Sequence, residues 1–127
     1  MPLPSPSFLP LVLGLACTPS TGGTPRVSIL APQDGESVCG PDVPVELAVE
    51  RLTLVEPDTD GGAGTGHIDV MLNGQDALMA ASQDFTLRGV EEGAWQLKVE
   101  LSNADHTPVQ PYAGDFVYIP YFQALTT

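Results

Sequence analysis

The chain has 127 residues and a formal charge of −12, with only four basic residues, Arg26, Arg51, Arg88 and Lys98. So few cations exclude nucleic acid, whose phosphates need clustered Lys and Arg, and docking on anionic lipid by charge. The length suits one domain burying roughly two-thirds of its unfolded surface, and 13 Gly, 13 Pro and a single Trp fit a turn-rich all-β chain better than a helical one.

Phe8 to Ala16 is an apolar run, shorter than the roughly 20 residues a membrane-spanning helix needs. It reads as the hydrophobic region of an export signal. Leu15-Ala16-Cys17 follows and resembles the lipobox of bacterial lipoproteins. The resemblance implies cleavage before Cys17, lipidation of its thiol and new amino terminus, and a membrane partner held through that anchor. On the residues alone, a plain secretory signal or a buried apolar N-terminus is the alternative. In that case Cys17 and Cys39 could pair as a disulfide. Thr18 to Pro25 is a polar linker with nothing to bury. By the same resemblance, Thr18 after the Cys points to the outer membrane of a Gram-negative envelope, facing the periplasm. The expected division is signal 1–17, linker 18–25, domain 26–119 and tail 120–127.

The domain opens with a short strand around Val27 and Ile29, closed by Ala31-Pro32-Gln33-Asp34-Gly35. Val45, Leu47 and Val49 alternate with Glu46, Ala48 and Glu50, and the phase slips at Leu52 and Leu54. This reads as a strand that bulges or ends near Arg51. Glu56 to Gly66 is an acidic, glycine-rich stretch. Its Asp58-x-Asp60-Gly61 is a fragment of a calcium loop without the later oxygen ligands or the closing Glu. A floppy solvated loop is expected there. Gly61 to Gly66 leads into a strand and lacks the Lys-Ser/Thr of a phosphate loop.

Ile68, Val70 and Leu72 alternate with His67, Asp69 and Met71 before Asn73-Gly74, a strong hairpin signal. A weak strand over Ala77–Ala81 and a clearer one over Phe85–Leu87 follow. The plainest strand is Ala94 to Ser102, where Trp95, Leu97, Val99 and Leu101 alternate with Gln96, Lys98 and Glu100. It ends in the turn-rich run from Asn103 to Pro108, and Phe116–Ile119 gives the last strand. The expected core holds Leu47, Val49, Ile68, Val70, Trp95, Leu97 and Val99. About seven short strands with turns between them predict an all-β, immunoglobulin-like antiparallel sandwich.

Pro32-x-x-Gly35 and Gly40-Pro41-x-Val43-Pro44-Val45 resemble the opening of bacterial immunoglobulin-like domains. Gly66-His67-Ile68-Asp69-Val70, with Asn103-Ala104-Asp105-His106-x-Pro108, resembles a family of exported domains of this class. Its members carry Gly-His-x-His in one strand and Ala-Asp-His-x-Pro after a later one. Here Asp69 stands where the second His would be. The resemblance implies the fold; the family has no settled function.

In such a sandwich the third and sixth strands are antiparallel neighbours, which brings His67 and His106 to one pole with Asp105 and the acidic loop. Parity puts His67, Asp69 and Met71 on the outward, accessible face. Two imidazoles and a carboxylate, with a thioether near, suit copper or zinc, so His67, Asp69, Asp105 and His106 are the candidate ligands. Structural capping by both histidines is the plainer reading. Cys39 should lie at the opposite pole as a free thiol or an intermolecular bridge. No Gly-x-Ser-x-Gly and no readable nucleophile spacing are present, so an enzyme is not expected. Two histidines cannot fill both metal sites of a copper/zinc superoxide dismutase. The sequence reading is therefore a lipid-anchored, non-catalytic module that binds an envelope protein or small ligand or scaffolds an envelope assembly, with periplasmic metal binding through His67 and His106 as the alternative.

Overall fold

The computed structural model of the protein describes residues 23–59 and 61–125. Among them the chain forms nine strands and no helix. In chain order these are β1 (Arg26–Ala31), β2 (Val38–Gly40), β3 (Val43–Glu50), β4 (Thr53–Leu54), β5 (Thr65–Leu72), β6 (Gln75–Ala80), β7 (Asp84–Leu87), β8 (Gly93–Asn103) and β9 (Gly114–Ala124). One sheet runs β1-β3-β7. The larger runs β2-β9-β8-β5, with β4 and β6 dividing the outer edge of β5 between them. The fold is an immunoglobulin-like sandwich.

The seven strands legible in the alternation are all present, and two short ones join them. Neither addition has a pattern to read: β2 is three residues long and β4 two. The phase slip after Val49 has a structural cause. Arg51 takes a φ of +63°, turning the chain out of the first sheet, and β4 then pairs with β5 in the second. Leu52 and Leu54 pack on the core from a new direction. The same pairing ties down the end of the Glu56–Gly66 stretch, at Gly64 and Gly66. Thr53 N–H donates to Gly64 O (2.9 Å), and Val55 N–H to Gly66 O (2.8 Å).

The core forms where the inward residues of the two sheets meet. Val43, Val45 and Leu47 of the first sheet lie against Ile68, Val70, Leu97, Val99 and Leu101 of the second. Each aliphatic side chain taken out of water stabilises the fold by about 1.5–3 kcal/mol. Two expectations are corrected. Trp95 and Val49 are only partly buried and pack on the core's rim. The Trp95 indole N–H donates to Glu91 O at 2.8 Å. It sits where β8 shifts register against β9 between Gly93 and Trp95, which lifts it off the centre. The domain also does not stop at Ile119. Strand β9 continues to Ala124, and Phe122 is wholly buried. The register shift puts Phe122 inward after exposed Tyr121, which breaks the alternation that defined the earlier boundary.

The chain enters the domain at a particular end. Arg26 pairs with Glu50, Arg51 Nη1 lies 3.5 Å from Thr24 O, and Thr24–Ser28 line a hollow with Tyr112–Gly114. Gly114 pairs with Glu100 near the end of β8, so residues 24–26 lie at the pole where β8 finishes.

Phe122→Ala should cost about 3–5 kcal/mol and Leu97→Ala about 2–5 kcal/mol. Trp95→Ala should cost less than Phe122→Ala, because part of the indole is already in water. Urea denaturation of the three variants gives the order; Trp95→Ala as the most damaging would contradict this core.

Candidate functional site

The candidate site is built where β5 begins and β8 ends. Their antiparallel register sets Gly66 opposite Asn103, His67 opposite Ser102 and Asp69 opposite Glu100. A Cβ on Gly66 would fall 2.0 Å from the Ser102 carbonyl oxygen, which is backbone and cannot swing aside. Any side chain at 66 would therefore push the strands apart beside His67.

The turn after β8 is tightly bonded. Asn103 N–H donates to Thr107 O (2.7 Å), and His106 N–H to Asn103 O (2.9 Å). Asp105 Oδ1 accepts from the Thr107 backbone N–H (3.1 Å) and from its hydroxyl (2.6 Å). These bonds, above all the one from the Thr107 hydroxyl, hold the Asp105 carboxyl below its ordinary pKa. The turn keeps His106 at φ +71°, a left-handed conformation uncommon outside glycine. So posed, its ring stands edge-on to that of His67, with centroids 5.0 Å apart and planes at 61°.

The structure thus brings His67 and His106 together, with a correction to the accessibility expected from parity. His67 does lie on the outer face of the larger sheet, but its exposure is 0%. Alternation decides which face a side chain takes, and cannot register that a turn will lay a second ring over it. Neither nitrogen of His67 has a hydrogen-bond partner among the described residues. Nε2 is 3.2 Å from Asp69 Oδ1 but outside hydrogen-bonding alignment, while Asp69 Oδ2 accepts from Ser102 Oγ at 2.5 Å. An unpartnered buried polar group costs about 1–3 kcal/mol.

His106 is the accessible member, its side chain 43% exposed. Its Nε2 is 2.7 Å from Asp58 Oδ1. That hydrogen bond raises its pKa above 6.5; burial opposes it as the next largest effect, and the charges of Asp58, Asp69 and Asp105 add to the rise. The ring separates two hollows. One, of about 620 Å³, is lined by Asp58, Gly62, Thr65, Asn103 and Asp105. The other, of about 460 Å³, lies beside Asp69, Asp76 and Met79.

The other sequence candidates fall elsewhere. Met71 is four residues beyond His67 on β5, about 13 Å along the strand, and so leaves the ligand set. Asp105 is bonded into its turn. Cys39, an exposed free thiol, pairs with Gln123 at the far end of β9, the pole opposite the histidines. Cys17 and its lipobox lie outside the described residues, as does Asp60. Among the described residues, no group of three or more His, Cys, Asp or Glu side chains is placed to hold a metal ion. Sequence reasoning placed the acidic loop that carries Asp58 at this pole but not the pairing of Asp58 with His106, and it missed Ser102. Asp58 is 48 residues from the histidine it pairs with, and Ser102 looked like one more polar position on β8.

No protein-family model matches this chain, and no curated protein matches it in sequence. In fold it is similar to the fibronectin(III)-like modules of Clostridium thermocellum CbhA, with a TM-score of 0.54 and 16% identity over 79% of this chain and 100% of that one. The PKD domain of human KIAA0319 superposes with a TM-score of 0.42 and 14% identity over 90% and 96% of the two chains, too loosely to bear on this one. The likeness to the CbhA modules is one of fold alone.

His106 should titrate above 6.5 in the folded protein, and Asp58→Asn should lower its midpoint. Because the folded pKa is raised, the stability from the Asp58 pairing is complete below 6.5 and lost as pH rises through the folded midpoint. The stability gap between wild type and Asp58→Asn should therefore be wider at about pH 5.5 than at about pH 8.5. A gap that widens with pH would contradict the pairing.

Proposed function

We propose that the protein is a non-catalytic binding module of the bacterial cell envelope, lipid-anchored at Cys17, with the histidine pole as its binding end. His67 carries the reading: a wholly buried imidazole without a hydrogen-bond partner among the described residues. A sandwich gains no stability from such a group, since an aliphatic side chain would fill the space without needing a partner. Its presence makes sense as a group kept for a ligand. The hydroxyl nearest it offers no support for catalysis. Ser102 donates to Asp69 rather than to a histidine, so no imidazole base activates it.

The anchor rests on Leu15-Ala16-Cys17, and the outer-membrane address on Thr18. The eight linker residues Thr18–Pro25 reach at most about 25 Å as polyproline II. Arg26 opens the domain at the histidine end, so a tether of that length keeps the binding end close to the membrane. The partner would be an envelope protein or a small ligand that approaches through the periplasm.

Cys17→Ser should move the full chain from the membrane fraction to the soluble periplasmic fraction, and the wild-type protein should begin at a lipid-modified Cys17. A wild-type chain that is equally soluble, or whose mature terminus lies elsewhere, would overturn the anchor.

A further inference from the structure

We propose that His67, Asp69 and His106 form a binding site for one divalent transition-metal ion, zinc(II) or copper(II). This rests on the reading of the histidine pole as the binding end and names the ligand class it takes. The first support is the unpartnered His67, fully buried and facing both Asp69 and the ring of His106. A metal ion would give one of its two nitrogens a partner, Nε2 being the one beside Asp69.

The spacings agree with that role. His67 Nε2 and Asp69 Oδ1 are 3.2 Å apart without being aligned as donor and acceptor. Nitrogen and oxygen at about 2.1 Å from one tetrahedral ion stand about 3.4 Å apart. Two imidazoles on the same ion have ring centres about 5 Å apart, and those of His67 and His106 are 5.0 Å apart.

The bonds around His106 and Asp69 agree with that role, while His67 Nδ1 has no partner among the described residues. Ligating histidines usually give their other ring nitrogen to a carboxylate, and ligating carboxylates are themselves hydrogen-bonded. His106 Nε2 is engaged with Asp58, which leaves Nδ1 for the ion. Asp69 Oδ2 is engaged with Ser102, which leaves Oδ1. Two nitrogens and one oxygen suit zinc or copper; calcium and magnesium take all-oxygen shells.

One movement is required. The rings meet edge-on at 61°, and no three ligands yet converge among the described residues, so His106 must turn to bring Nδ1 onto the ion. It has room to do so, being half-exposed on a surface turn between the two hollows. The fourth position would be left to water or to a ligand atom from the larger hollow.

The test uses the full chain with Cys17→Ser and Cys39→Ser. It is then detached from the membrane and free of competing thiols, so failure here leaves the anchor at Cys17 untouched. Zinc chloride and copper(II) sulfate are titrated in by calorimetry at about pH 7.5, above the ordinary histidine range. One ion should bind per chain, and copper(II) should show two nitrogen ligands in its electron paramagnetic resonance spectrum. His106→Ala should weaken binding roughly a hundredfold, and Asp58→Asn about ten- to a hundredfold. The surface change Glu46→Gln should leave it unaltered. His67→Ala is read only if its circular dichroism matches the parent, and His106→Ala decides the matter if it does not. Absence of binding, or equal weak binding by the parent and His106→Ala, would overturn the site and leave only a diffuse acidic surface.

Discussion

The antiparallel pairing of β5 with β8, continuous from Gly66–Asn103 to Leu72–Leu97, is the constraint on which both core and pole depend. On the inner face it sets Ile68 against Leu101 and Val70 against Val99. On the outer face it sets His67 beside Ser102 and Asp69 beside Glu100. A slip of one residue would exchange the faces, burying charge in the core and exposing its aliphatics. The core therefore fixes the register, and the register assembles the pole. Gly66 keeps the two strands close enough at that end, because the space a side chain would need is filled by the Ser102 carbonyl.

Onto this frame the Asn103–Pro108 turn adds the second histidine. Its backbone bonds and the Asp105 cap hold a left-handed residue that the chain would not adopt freely. The outcome is an asymmetric pair. His106 is reachable and tied to Asp58, while His67 lies beneath it with nitrogens that nothing described satisfies. Backbone strain and an unpaired buried imidazole both oppose folding. The aliphatic core offsets them, a pattern common where structure is kept for binding.

Strands with a clean period of two were legible in the sequence because each has one dry face and one wet one. Where the physics departs from that condition the reading failed. Strand β9 slips register before Phe122, so its last inward residue falls out of phase. β2 and β4 are too short to show a period, and Trp95 has the right parity but sits at the rim. The pole was legible as a topological neighbourhood, since strand direction alone brings β5's start to β8's end. The burial of His67 was not, because it depends on a ring 39 positions later in the chain folding over it, and neither was the pairing of His106 with Asp58.

The central claim is that His67 lies buried on the outer face of the sheet, directly beneath the ring of His106. Its most direct test is a nuclear Overhauser spectrum of the metal-free protein with both histidine rings assigned. With centroids 5.0 Å apart, the account requires ring-to-ring cross-peaks between His67 and His106. Two rings without a cross-peak between them, with His67 close only to solvent, would contradict it.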